Sequence, residues 1–141
     1  MINILPGIQS TSSALTAERI RMEVVSANIA NAHVENTGNG KPYQRQVVTF
    51  ESVLGNQMGG AATAEGLQVA KIMPDNRPPR RIPSPGNPNA GPDGCVELPN
   101  INIHEEMVDL ITASRAFEAN LAVVKASRNM TMQTLSIGKR A

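Results

Sequence analysis

The sequence predicts a mainly α fold: long N- and C-terminal helices packed as a coiled-coil-like hairpin, with a small irregular β and Pro/Gly-rich region between them. Three observations predict it. Apolar residues recur every seven positions at both ends of the chain, the spacing of a helix stripe that meets another helix. Eight of the ten prolines fall between Pro74 and Pro99, where they remove backbone donors and favour an extended path. Between these regimes, short runs alternate with the period of two that marks a strand. The 141 residues divide accordingly into an N-terminal helix over 1–32, an extended region with short antiparallel strands over 33–101, and a C-terminal helix over 102–141, together one structural unit.

The first helix rests on Ile8, Leu15, Met22 and Ile29, a heptad row to which Val25 adds. Glu18, Arg19, Arg21 and Glu23 stand on the opposite face, and the small residues Ala14, Ala17, Ser26, Ala27 and Ala30 let a second helix come close. Gly7 and the hydroxyl cluster from Ser10 to Ser13 weaken the first turns, so this end is expected to fray when alone.

In the middle, Tyr43 to Phe50 and Leu67 to Met73 read as two strands joined through glycines at 55, 59, 60 and 66, and Cys95 to Leu98 reads as a third. The stretch from Pro74 onward reads as a spacer, and it holds no internal repeat.

The last helix has one row of Ile103, Leu110, Phe117 and Val124 and a second of Met107, Leu121 and Leu135, interrupted at Ser114 and Arg128. Asn102 with Glu105 three positions later reads as an N-cap resembling a capping box, and Gly138 as the stop. Glu105, Glu106 and Asp109 near the start and Lys139 and Arg140 past the end complement the helix dipole. About 35 helical residues reach roughly 50 Å. A helix of that length needs a long partner, and the N-terminal helix is the one available in the chain. Each Leu, Ile, Met or Phe that a stripe buries is worth roughly 1.5 to 3 kcal/mol, so surplus stripe is surface for other subunits.

Composition narrows the function. A net charge of +1 gives no electrostatic reason for nucleic acid or an acidic membrane surface, and three aromatic residues are too few for base-stacking platforms. Cys95 is the lone cysteine, which excludes an intramolecular disulfide and a cysteine-rich metal site. No apolar run approaches the roughly 18 residues of a membrane span. Met1 to Ser13 lacks the basic start and apolar block of a cleaved signal peptide.

Chemistry is sought and not found. His104-Glu105-Glu106-Met107-Val108 begins like a zinc-protease helix, but the second ligand would have to stand where Val108 does. His33 reads as a solvated or capping residue, and Glu105 and Glu106 read as N-terminal helix charges, since adjacent residues do not share a helix face. Arg77, Arg80 and Arg81 form a basic cluster that is either a solvated loop or a contact for acidic groups on a partner. No catalytic triad, P-loop or dinucleotide fingerprint occurs, so no cofactor is expected and an enzyme is disfavoured.

Two Asn-Ala signatures close the reading: Ser26-Ala27-Asn28-Ile29-Ala30-Asn31-Ala32 and Ser114-Arg115-Ala116-Phe117-Glu118-Ala119-Asn120. With Pro42-Tyr43, Pro85-Gly86-Asn87-Pro88, Leu98-Pro99-Asn100-Ile101-Asn102 and Glu106-Met107-Val108-Asp109 in the same order, the chain resembles bacterial flagellar basal-body rod proteins over nearly its whole length. The short middle favours proximal-rod members over the longer distal-rod and hook relatives. Cys95 stands where the family commonly has Tyr after Gly94, and Asn87 where His is frequent.

The resemblance implies a structural subunit exported unfolded through the flagellar type III apparatus without signal cleavage. It implies a place in the rod that crosses the periplasm beneath the hook, with self-association, other rod proteins and a basal-body adaptor protein as neighbours, and no direct membrane insertion. The expected assembly interface is Ile8, Leu15, Met22, Val25, Ile29, Met107, Leu110, Phe117, Leu121, Val124 and Leu135. Asn28, Asn31 and Asn120 are expected to cap helix ends or to bond backbone across the helix contact, the alternative being ordinary polar surface positions. A cytoplasmic helical-hairpin adaptor or export chaperone and an enzyme are the competing classes.

Overall fold

The structure, a computed structural model, describes residues 6–55 and 63–138, with side chains described over 8–52 and 66–138. The expected glycine link at residues 59 and 60 and the charges of Lys139 and Arg140 lie outside the described residues. Helix α1 spans Pro6–Ala30. Pro6 suits a first helical position because the N–H it lacks would have no helical acceptor. The hydroxyl cluster does not interrupt the helix: Ser13 Oγ donates to the Ser10 carbonyl at 2.8 Å and Thr16 Oγ1 to the Ser12 carbonyl at 3.1 Å.

Strands β1 (Gln46–Gly55) and β2 (Thr63–Pro74) form an antiparallel two-stranded ribbon, paired from Gln46 with Pro74 to Gly55 with Thr63. The register shifts after Thr49 and after Val53, which absorbs one extra β2 residue each time. A second antiparallel ribbon pairs β3 (Arg80–Pro83) with β4 (Cys95–Leu98). The sequence reading placed β4 but treated the β3 segment as spacer. Pro83 is tolerated there because β3 is an edge strand that bonds on one side alone.

Helix α2 spans Ile103–Gly138, 36 residues and about 54 Å. Asn102 caps it as the spacing predicts. Its Oδ1 accepts the His104 N–H at 3.2 Å, its carbonyl accepts the Glu106 N–H at 3.1 Å, and its Nδ2 donates to Glu105 Oε1 at 3.0 Å.

The helices run antiparallel, since Asn28 meets Glu106 and Arg21 Nη2 lies 3.5 Å from Asp109 Oδ1. The most buried residues along them are small or polar: Ala17, Asn28, Glu106 and Ala113, with Val25. Small side chains bring the helix backbones together and leave the bulkier rows to flank the seam. Ala32, Val96 and Ile101 extend the core under β4.

Strand β2 lies across α1, where the Leu67 N–H donates to Ser13 Oγ at 3.0 Å. Gly66 permits this approach, because a Cβ there would stand 2.5 Å from Ser13 Oγ. The helices are unequal. From Asn28 back to Pro6 is about 33 Å, a rise that α2 covers between Glu106 and roughly residue 128, so about its last ten residues run past the start of α1.

Candidate functional site

Where α1 ends, β1 begins and α2 begins, the chain builds a buried polar lock. Asn28 is 1% exposed and uses its whole amide: Nδ2 donates to the Gln46 carbonyl at 2.9 Å and to Glu106 Oε2 at 3.0 Å. Its Oδ1 accepts the Gln46 N–H at 2.9 Å and the Tyr43 hydroxyl at 3.2 Å. No other uncharged side chain of that size both donates twice and accepts twice in one plane. One residue thereby pairs with a strand backbone as a neighbouring strand would, and ties that strand to both helices.

Glu106 is equally buried, at 1% exposed. Its other oxygen, Oε1, accepts from Arg45 Nε at 2.7 Å, so each carboxylate oxygen has a charged or amide donor. Arg45 continues outward to Asp75 Oδ2 at 3.5 Å, while its carbonyl accepts the Asp75 N–H at 2.7 Å. Arg77 closes the chain on Asp75 Oδ2, with Nη2 at 2.7 Å and Nε at 2.8 Å. The hydrogen bond from Arg77 holds the Asp75 carboxyl below its ordinary value. Burial, and then the Glu106 charge, push the Tyr43 hydroxyl above its own. The polar atoms of the lock are spent on one another, and their bonds hold α1, β1 and α2 together.

A second polar cluster fixes the loops at this end. Asn87 Nδ2 donates to both Glu35 oxygens at 3.1 and 3.0 Å, and Asn89 Nδ2 to Glu35 Oε2 at 3.1 Å. This gives Asn87 of the Pro-Gly-Asn-Pro run a structural role. The basic cluster is largely neutralised from within, since Arg77 pairs with Asp75 and Arg81 Nη2 with Glu97 at 3.1 Å. Arg80 and Arg81 stand on the exposed strand β3 and not in a loop, and the pairing within the subunit leaves less charge for a partner. Cys95 is a half-buried free thiol, and His33 is exposed. Among the described residues no group of His, Cys, Asp and Glu side chains converges on a metal position, and no helix is long and apolar enough to cross a membrane.

The other feature is apolar surface. On α2, Met107, Val108, Ile111, Leu121 and Val123 are exposed, and further along Met130, Met132, Leu135 and Ile137 are 60 to 72% exposed. Val108, Val123, Met130 and Ile137 fall within about 60° on a helix face turned roughly 90 to 150° away from the α1 seam.

Comparison with known proteins matches both ends of the chain. Residues 8–36 fit the family described as flagella basal body rod protein, and residues 93–137 fit the family described as flagellar basal body rod FlgEFG protein C-terminal. The chain is 38% identical over 141 residues to the flagellar basal-body rod protein FlgC of Bacillus subtilis, covering 92% of this chain and 94% of that one. It is 36% identical over 149 residues to FlgC of Borreliella burgdorferi, with 96% and 98% covered. FlgC of Escherichia coli O157:H7 is 37% identical over 127 residues, with 90% and 92% covered.

The chain belongs to the FlgC family of flagellar basal-body rod proteins.

Within this rod-family fold the two Asn-Ala motifs have different surroundings. Asn28 is buried and fully bonded, and Asn31 Nδ2 caps the end of α1 by donating to the Ala27 carbonyl at 2.8 Å. Asn120 is half-buried and has no hydrogen-bond partner among the described residues; Ser114 is half-buried and Arg115 exposed. Of the stripe residues, Val25 is buried, Ile8, Leu15, Met22, Ile29, Leu110, Phe117 and Val124 are half-buried, and Met107, Leu121 and Leu135 are exposed. The structure thus separates a set used inside the subunit from a set left uncovered.

Sequence reasoning missed Glu106 and Arg45, the charged half of the lock. A signal for Glu106 was present, because it stands seven positions before Ala113 on the side of α2 that faces α1. Arg45, 61 residues from its partner, carried none.

Proposed function

We propose that this chain is a structural subunit of the proximal flagellar rod, polymerising through its terminal helices into the drive shaft and export channel of the flagellum. The observation that carries the reading is the large exposed apolar surface of α2, on the face turned away from α1 and on the last turns that run past it. In water such surface is a liability, and covering each large side chain contributes roughly 1.5 to 3 kcal/mol. Coiled-coil-like packing of α1 and α2 completes itself against neighbouring subunits through Met107, Leu121 and Leu135, while the polar lock holds the middle region at a fixed angle to the helix pair. Growth of a rod requires heterologous contacts whose rotation does not close, and the uncovered surface of α2 can serve as one side of such a contact.

In this reading the chain passes unfolded through the flagellar type III export apparatus without cleavage and takes its place in the rod across the periplasm. Other rod proteins and a basal-body adaptor protein are its neighbours, and it performs no catalysis. The test is electron microscopy of basal bodies from a clean deletion and its complemented strain. Loss of rod and hook with the membrane ring retained, restored by complementation, is expected. Intact motile flagella in the deletion would turn the reading toward a cytoplasmic adaptor.

A further inference from the structure

The overhang of α2 and a groove beside α1 form a matched pair of surfaces on one chain. The groove holds about 490 Å³ between α1 and β2, with Ala17, Ile20, Leu67 and Val69 in its walls and Gln9 and Gln68 among its polar residues. The close approach of Gly66 to Ser13 closes one side of it. None of the residues lining it is charged.

The overhang shares that property. From Asn129 to Gly138 there is no charged residue, in a chain that carries 13 basic and 12 acidic ones. Its Met130, Met132, Leu135 and Ile137 are 60%, 61%, 64% and 72% exposed, and Leu135 and Ile137 are the most exposed large apolar side chains in the described α2. Thr131, Gln133, Thr134 and Ser136 alternate with them. Desolvating a charge is costly, so the centre of a protein contact is depleted of charge, and these two surfaces are free of it where their surroundings are not. Methionines adapt to irregular walls, and the Gln68 amide of the groove can donate to the hydroxyl oxygens of Thr131, Thr134 and Ser136, whose protons are already given to carbonyls of their own helix.

The overhang cannot reach its own groove as part of a straight antiparallel hairpin, because it points away from α1 beyond Pro6. We infer that the last three turns of α2 of one subunit dock in the α1/β2 groove of a second copy. Repeated, this is a head-to-tail contact with a donor end and an acceptor side, the type that extends without closing. It rests on the rod-subunit reading above and specifies which surfaces of two like copies meet.

Disulfide trapping in assembled rods tests it. In a Cys95→Ser background, the chain carries Gln68→Cys on the groove lip and Met132→Cys on the overhang, and purified basal bodies are treated with a mild oxidant. More than half of the chain is expected in dimers and longer ladders of its own mass multiples. Single variants co-expressed are expected to yield dimers only when both are present, and a Val108→Cys partner in place of Met132→Cys is expected to yield none. Chain that is present in basal bodies but stays monomeric overturns the contact and leaves the rod reading standing; this is also the result if residues 1–5 of the same chain cover the overhang. Adducts of another mass, or equal trapping with Val108→Cys, overturn it as well. Absence of the chain from basal bodies overturns both.

Discussion

Replacing Asn28 by Asp keeps the shape of the side chain and removes both of its donors. The Gln46 carbonyl, 2.9 Å away, loses its partner, and Glu106 Oε2, 3.0 Å away, comes to face a second carboxylate. Each buried acceptor left short of a bond costs about 1–3 kcal/mol. Two unit charges at 3.0 Å repel by about 5.5 kcal/mol at an effective dielectric of ~20, so the folded variant takes up about one proton instead of holding both charges. The expected loss at neutral pH is about 3–5 kcal/mol, a large share of the stability of a small protein.

The pH dependence gives a signature that simple loss of packing lacks. The folded variant retains a proton that its unfolded chain has released, so raising the pH destabilises it, by up to about 1.4 kcal/mol per unit above the ordinary carboxyl range. Urea unfolding followed by far-UV circular dichroism at about pH 5.5 and about pH 7.5 reads both effects. A variant within about 1 kcal/mol of the wild type, or a gap that does not widen with pH, would refute the assignment of Asn28 as the fully bonded centre of the lock.

Three further outcomes follow from the same geometry. Tyr43→Phe is expected to cost about 1 kcal/mol through the lost bond to Asn28 Oδ1. Because the folded tyrosine ionises above its ordinary value, its contribution is present below about pH 10 and lost as pH rises through the folded value; ultraviolet titration of the chain's single tyrosine checks this directly. Asp75→Asn is expected to flatten the acid limb of stability. The folded carboxyl ionises below its ordinary value, so its contribution is full above that value and lost as pH falls through the folded one, which urea midpoints between neutral and acid pH will report. Gly66→Ala is expected to destabilise by about 1–3 kcal/mol by pushing β2 from α1, and in a Ser13→Gly background, which itself loses the Leu67 bond, the same change is expected to cost much less in a double-mutant thermal melt.

The terminal helices were legible because their signals are local and periodic. Asn102 with Glu105 marked the start of α2 correctly, and the heptad rows located both helices, since each reports residues one or two turns apart. The same rows marked the seam at Val25, and Ala17 was read as a point of close approach, but the rest of the seam lies between the rows. Ala17, Ala113, Asn28 and Glu106 lie deepest, and neither small size nor a polar head group registers as hydrophobic periodicity. Strand β3 stayed hidden because prolines mark edge strands and coil alike. The lock was half legible: the Asn-Ala motif pointed to Asn28, but bonds from Asn28 to Glu106 and from Arg45 to Glu106 join residues 78 and 61 positions apart, and no short pattern encodes them. The two Asn-Ala motifs also look alike in sequence and differ in the fold, Asn28 being spent inside the subunit and Asn120 left without a partner among the described residues.

The uncovered face of α2 is the assembly surface proposed above, and one double variant isolates it from folding. Val108 and Val123 are 62% and 51% exposed, so Val108→Asp with Val123→Asp changes the stability of the purified chain by no more than about 1 kcal/mol. Electron microscopy of basal bodies from a deletion strain making only this variant is the most direct measurement. Exported subunit and membrane rings without rods are expected. Rods of normal number and length, built from a chain with two carboxylates on that face, would contradict the proposal.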